Sequence, residues 1–184
     1  LLSAPVLAAG NAMQTREQLG FSVTGISGAV AYRTQVATEA GFLDIVDEAY
    51  TTDGQSTFAS LPNGTYFIRT RAVAESGLEG LSEVETFRRK RVGVTATAGP
   101  SPLEDGFKFA WTGEGEGNTS FAFQLWRDGQ EGTLLADEIG LTDTAMVIVG
   151  MEPGVYHWRV AAQQLDEGEV VKVWAPSQKL TISE

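Results

Sequence analysis

A chain of 184 residues with a net charge of −11 and no cysteine is a poor ligand for nucleic acid or an anionic membrane, and it holds no disulfide, thiolate metal site or cysteine nucleophile. No apolar run reaches the roughly 18 residues of a membrane span. A 42% hydrophobic share, 20% charged residues and 21 glycines predict a soluble all-β protein of many short strands and turns.

Residues 1–9 are apolar but lack an initiating Met and a basic start, and they contain Pro5, so they read as a first strand in a piece of a longer protein. Leu19, Phe21 and Val23 then alternate with Gly20, Ser22 and Thr24, the period-two signature of a half-buried strand. Tyr32, Thr34 and Val36 make the next strand, with Gln35 facing outward, and residues 43–46 and Phe58 supply further short apolar segments. After a turn at Gly64, Tyr66, Ile68 and Thr70 face one way and Phe67, Arg69 and Arg71 the other, and Phe87 marks a closing strand. Arg88-Arg89-Lys90-Arg91 follows and reads as a short solvated linker rather than a targeting or processing patch.

The second half repeats the order. Residues 92–94 open it, and Phe107, Phe109 and Trp111 alternate with Lys108, Ala110 and Thr112. Phe121, Phe123 and Leu125 follow with Gln124 outward, then the apolar segments 134–135 and 146–148. Tyr156, Trp158 and Val160 lie opposite His157, Arg159 and Ala161, and Leu180 and Ile182 close the half. The repeat is legible at a spacing of 90, where Leu61-Pro62-Asn63-Gly64-Thr65-Tyr66-Phe67-Ile68-Arg69-Thr70-Arg71-Ala72 lies over Met151-Glu152-Pro153-Gly154-Val155-Tyr156-His157-Trp158-Arg159-Val160-Ala161-Ala162. The same spacing aligns Asp47-Glu48 with Asp137-Glu138 and Thr52-Asp53 with Thr142-Asp143. Each half supplies about seven strands, enough for one β sandwich per repeat.

The run from Leu61 through Gly64, Tyr66, Arg69 and Ala72 to Gly77-Leu78-Glu79-Gly80, Ser82 and Phe87 resembles the later strands of a fibronectin type III module. The second copy resembles it too, with Trp174 near the place of the usual late tryptophan and an irregular final strand around Ala175-Pro176. The resemblance implies two tandem seven-stranded immunoglobulin/fibronectin-III-like β sandwiches, over residues 1–90 and 91–184. The spelling Pro153-Gly154-Val155-Tyr156-His157-Trp158-Arg159-Val160 is more specifically similar to the repeats that follow the FecR domain in bacterial cell-envelope proteins, some of which also carry LysM modules. That implies an extracytoplasmic, periplasmic or cell-envelope setting. No FecR domain proper is evident, so its signalling role does not transfer.

Catalytic constellations are missing. His157 is the sole histidine and lies at an outward strand position, without a second imidazole for a metal site and with no Gly-x-Ser-x-Gly elbow to serve. Gly113-Glu114-Gly115-Glu116-Gly117-Asn118 lacks the Lys-Ser/Thr ending of a phosphate loop and carries carboxylates that repel phosphate. The same loop and Asp166-Glu167-Gly168-Glu169 lack EF-hand spacing, so they read as solvated acidic tips rather than calcium sites. Asp47-Glu48 and Asp137-Glu138 are adjacent strand residues pointing to opposite faces, which unmakes a glycosidase pair. Asn63-Gly64-Thr65 and Asn118-Thr119-Ser120 match the glycosylation sequon but read as turn chemistry.

Three functions remain: a non-enzymatic spacer or protein-interaction module of a larger bacterial cell-envelope protein, a carbohydrate or peptidoglycan binder, or an accessory domain of an envelope enzyme. None needs a cofactor, a nucleic acid or membrane insertion. The period-two assignment gathers Arg33, Arg69 and Arg71 around Phe67 on the outer face of the first module, a candidate surface for an anionic envelope protein or glycan. The competing expectation is that these arginines pair with carboxylates on neighbouring strands or loops. Phe67 and, in the second module, Trp126 are the outward aromatics that could stack on a sugar. Residues 1–91 carry 8 Lys/Arg against 10 Asp/Glu, net −2, and residues 92–184 carry 5 against 14, net −9.

Overall fold

A computed structural model describes residues 1–8, 13–103 and 105–184. The chain divides into two compact units, Leu1–Arg91 and Val92–Glu184, and each is an all-β sandwich.

Among the described residues unit 1 has seven strands: β1 (Met13–Gln14), β2 (Leu19–Ser22), β3 (Ala29–Ala37), β4 (Ile45–Thr51), β5 (Gln55–Phe58), β6 (Gly64–Ala74) and β7 (Val84–Arg89). One sheet runs β1-β7-β6-β3-β4, and β2-β5 lies across from it. All pairings are antiparallel except β1 on β7. The alternation read from sequence is the inward face: Tyr32, Thr34 and Val36 of β3 and Tyr66, Ile68 and Thr70 of β6 are buried, and Val36, Tyr66 and Ile68 pack in one cluster with Leu19, Phe21, Phe58 and Phe87. Aromatic packing fixes the centre, with Phe21 and Phe87 ring centroids 4.8 Å apart and Tyr66 stacked on Phe87 at 5.5 Å. Each such side chain stabilises the fold by about 1.5–3 kcal/mol on burial. Thr34 and Thr70 answer their own buried hydroxyls with a mutual 2.9 Å hydrogen bond.

Unit 2 comprises β8 (Gly93–Pro100), β9 (Gly106–Glu114), β10 (Ser120–Arg127), β11 (Thr133–Leu141), β12 (Ala145–Val149), β13 (Gly154–Asp166), β14 (Glu169–Trp174) and β15 (Gln178–Ile182). Its sheets are β11-β10-β13, with both β14 and β15 on β13, and β12-β9-β8. Phe109, Trp111, Phe123 and Trp158 form the buried aromatic centre, with Phe109 edge-on to Trp158 at 5.1 Å. The Trp111 indole N–H donates to the Asp143 carbonyl at 3.1 Å.

In both units the recurring tyrosine locks the turn before the long strand. The Tyr66 hydroxyl donates to the Pro62 carbonyl and the Tyr156 hydroxyl to the Glu152 carbonyl, each at 2.7 Å. The following turns coincide as well: Gly64 and Gly154 both have φ of 155°, an angle that residues with a side chain rarely adopt.

Three expectations are corrected. Residues 1–9 are no regular strand: residue 9 lies outside the described residues, and this segment's ladder is one antiparallel bridge, Leu7 to Val23. The basic run is not a solvated linker, because Arg88 and Arg89 end β7 and Arg89 is 2% exposed. The 90-residue spacing does not hold in the fourth strand, where Gln35 faces Glu48 but the equivalent Gln124 faces Asp137, a spacing of 89 at both positions. The irregularity expected around Ala175-Pro176 is present: the closing strand of unit 2 is broken in two between Trp174 and Gln178, where Pro176 has no N–H to give the ladder.

Arg89 is held by backbone oxygen rather than by a carboxylate. Its Nε donates to Leu61 O at 3.2 Å, Nη1 to Gln14 O at 3.3 Å and also to Arg16 O, and Nη2 to Glu17 O at 3.2 Å and Ser60 Oγ at 3.1 Å. All five donor directions of the guanidinium are thereby used. Desolvation, followed by the nearby Arg91 charge, lowers its pKa from the ordinary arginine value.

Candidate functional site

The outward faces of the larger sheets carry the polar side chains that the strand alternation excludes from the cores. In unit 1, β3 and β6 set Arg33 opposite Arg71, Gln35 opposite Arg69 and Ala37 opposite Phe67. The three arginines and Phe67 therefore share one face. Arg33 donates through Nε to Glu79 at 2.5 Å and through Nη1 to Glu48, and Arg71 lies 3.7 Å from the same Glu79 carboxylate. The hydrogen bonds to Glu79 and then Glu48 raise the Arg33 pKa. Glu48 is lowered chiefly by the Gln35 amide, with Arg33 adding to the effect against a desolvation penalty. These exposed pairs contribute about 0–1 kcal/mol each, but they neutralise much of the patch. Pairing with neighbouring carboxylates is what the geometry shows.

Arg69 starts a relay: its Nε donates to Gln35 Oε1 at 2.8 Å, and Gln35 Nε2 donates to Glu48 at 2.7 Å. Its guanidinium lies 4.2 Å from the Phe42 ring centroid. Phe42 is 6% exposed and has φ of 55°, a left-handed conformation costly for a bulky residue. The turn is held by Glu39, whose carboxylate accepts from the N–H groups of Gly41, Leu43 and Asp44. Those bonds, the one from Asp44 first, hold its pKa below the usual carboxylate value.

Unit 2 repeats the relay. Arg159 Nε donates to Gln124 Oε1 at 2.9 Å, and Gln124 Nε2 donates to Asp137 at 3.2 Å. The aromatic cover is different: the Arg159 guanidinium is 3.9 Å from the Trp174 ring centroid and 5.5 Å from that of Trp126, and the Lys172 ammonium is 4.8 Å from Trp174. Trp126 points outward as its parity requires, yet it is 8% exposed. It offers no free ring to a sugar; its role is to cover Arg159. Sequence reading passed over Lys172 and Lys179 and treated Trp174 only as a marker of resemblance. Register places all three on this face, with Lys172 opposite Gln163, Trp174 opposite Ala161 and Lys179 opposite His157.

No group of acids and histidine suited to a metal occurs among the described residues, and no helix there is long and apolar enough to cross a membrane. The hollow of about 950 Å³ in unit 1 runs along residues 13–18 beside Thr57 and Ser60, and a 460 Å³ groove in unit 2 is bordered by Leu125, Leu135, Met146 and Ile148. Neither contains a histidine, so neither assembles a serine–histidine pair.

No family model and no curated protein matches the chain. Among solved structures it is similar to the FN1–FN3 domains of chicken CNTN1, at 12% identity over 98% of this chain and 67% of that one, TM-score 0.46. The fibronectin(III)-like modules of Clostridium thermocellum CbhA are 14% identical over 95% and 90%, TM-score 0.40. A cytokine receptor complex is 12% identical over 90% and 91%, TM-score 0.48. The functional reading therefore stands on the chain's own residues.

Proposed function

We propose that this chain is a non-enzymatic spacer and interaction element of a larger bacterial cell-envelope protein, acting outside the cytoplasm. The observation that carries the proposal is duplication with divergence. Both units keep the same tyrosine lock and the same arginine–glutamine–acid relay, while the covers of those relays differ, Phe42 in one and Trp126 with Trp174 in the other. A scaffold kept constant beneath a changing outer face fits a protein that presents surfaces rather than one that assembles a reaction centre. The envelope setting is supported by the similarity of residues 153–160 to the repeats that follow FecR domains.

A fusion of the parent protein's gene to alkaline phosphatase, truncated after this region, tests the setting. That reporter folds only where its disulfides form, so an active phosphatase is expected. An inactive phosphatase together with an active β-galactosidase fusion at the same point would overturn the proposal. A glycan-binding role is the second reading, and it is favoured by one observation, the cations on the outer face of unit 2 that have no carboxylate partner among the described residues.

A further inference from the structure

We infer that the outer face of the larger sheet in unit 2 is a docking row for a linear polysaccharide that bears carboxylates, with Arg159 as the anchor and Lys172 and Lys179 at the two ends. This deepens the glycan-binding reading and rests on it.

The anchor is preorganised. Gln124 holds Arg159 at Nε, two indoles lie against the guanidinium, and neither Nη has an acceptor among the described residues. A guanidinium fixed in this way presents its remaining fork to a carboxylate with little further loss of rotamer freedom. The Asp137 carboxylate does not quench it, because Gln124 carries Asp137 on β11, away from β13.

The row follows from register. Lys179 faces His157 and Lys172 faces Gln163 on β13, so the two lysine positions are six strand residues apart, about 20 Å along the backbone at ~3.4 Å per residue. Neither has a carboxylate partner among the described residues. Three of the five Lys/Arg of residues 92–184 thus share one face of a unit holding 14 Asp/Glu. On the equivalent face of unit 1, Arg33 and Arg71 are paired with Glu48 and Glu79.

Two features select a polysaccharide over an acidic peptide or protein. The strand that carries the lysines is a sheet edge interrupted at residues 175–177, so it cannot accept an added peptide strand along its length. A broad acidic protein surface would also meet the carboxylates around the face, whereas a thin polymer laid along the row meets the cations. The part-exposed Trp174 adds an apolar surface beside them.

The test is calorimetric titration of the full chain with hexa-α-1,4-galacturonate, with maltohexaose and hexaglutamate as separate arms. The uronate is expected to bind with an affinity that falls as salt rises, maltohexaose to give no heat, and hexaglutamate to bind about tenfold more weakly or worse. Lys172→Ser with Lys179→Ser removes two exposed groups and leaves the core alone, so far-ultraviolet circular dichroism and the thermal unfolding of unit 2 should be unchanged while uronate affinity drops about tenfold or more. Arg159→Lys keeps the charge without the fork and should weaken binding as well. No heat with the uronate at millimolar concentration, full affinity in the lysine double variant, or hexaglutamate binding as tightly as the uronate would each overturn the inference. The fusion assay decides the envelope reading separately.

Discussion

The two units solve the same problem at their first and last strands by different means. In unit 2 the first strand, β8, pairs with β9 through eight residues in an unbroken antiparallel register, and the ladder answers the backbone groups that face β9. In unit 1 the corresponding chain is divided between the Leu7–Val23 bridge and the two-residue β1. The carbonyls of Arg16 and Glu17 take their donors from Arg89, which also adds a second bond to the Gln14 carbonyl that the Lys90 N–H already reaches. The position equivalent to Arg89 in unit 2, the one opposite the turn glycine, is Ile182, which packs against the core. A buried cation is thus tolerated where backbone oxygen needs donors, and an aliphatic residue serves where the ladder is complete.

The sharpest way to break this comparison is Arg89→Met, which keeps a stem and deletes all five donors. Unit 1 should lose about 2–4 kcal/mol, the scale for a buried hydrogen-bond network left open, while unit 2 keeps its own transition. All four tryptophans lie beyond residue 91, so tryptophan fluorescence follows unit 2 alone and far-ultraviolet circular dichroism follows both. A shift in the fluorescence transition as large as that in dichroism would show that the units do not unfold separately.

A smaller effect should be shared. Tyr66→Phe and Tyr156→Phe each remove one donor to a turn carbonyl and should cost their own unit about 1–3 kcal/mol. A neutral result in both units would deny the tyrosines their locking role. The smallest effect is on the acid side of unit 1. Glu48 and Glu39 have pKa values below the ordinary carboxylate value when folded, so their contribution is fully present above the unfolded value of about 4.3. It is lost as pH falls through the lowered folded values. Glu48→Gln should flatten that loss in urea titrations between about pH 5 and 3, and an unchanged slope would remove Glu48 from the account.

Much of the fold was legible because both cores obey period two: Leu19, Phe21, Tyr32, Val36, Tyr66 and Ile68 in one half, and Phe109, Phe123, Trp158 and Val160 in the other. Arg89 was not legible. A cation in a run of four basic residues looks solvated, and only the three-dimensional placement of residues 14–17 and 60–61 shows what it answers. The candidate face was half legible. Arg69 and Arg159 were placed outward by parity, but Lys172, Trp174 and Lys179 were hidden by a change of phase. Residues 172 and 174 are even and 179 is odd, and only the interruption at 175–177 returns them to one side. The partners of Arg33 were hidden differently, since Glu79 comes from the turn segment after β6, whose approach no alternation predicts.

The Arg89 clasp also bears on the order in which the molecule is made. It joins residue 89 to a carbonyl 75 positions earlier, a closure of very long sequence separation placed almost at the end of unit 1. During synthesis, β1 and the segment after it must wait for nearly the whole unit to leave the ribosome before β7 and its arginine arrive. Val92, already part of the core of unit 2, follows three residues later, so the first unit can complete its clasp only as the second begins to emerge.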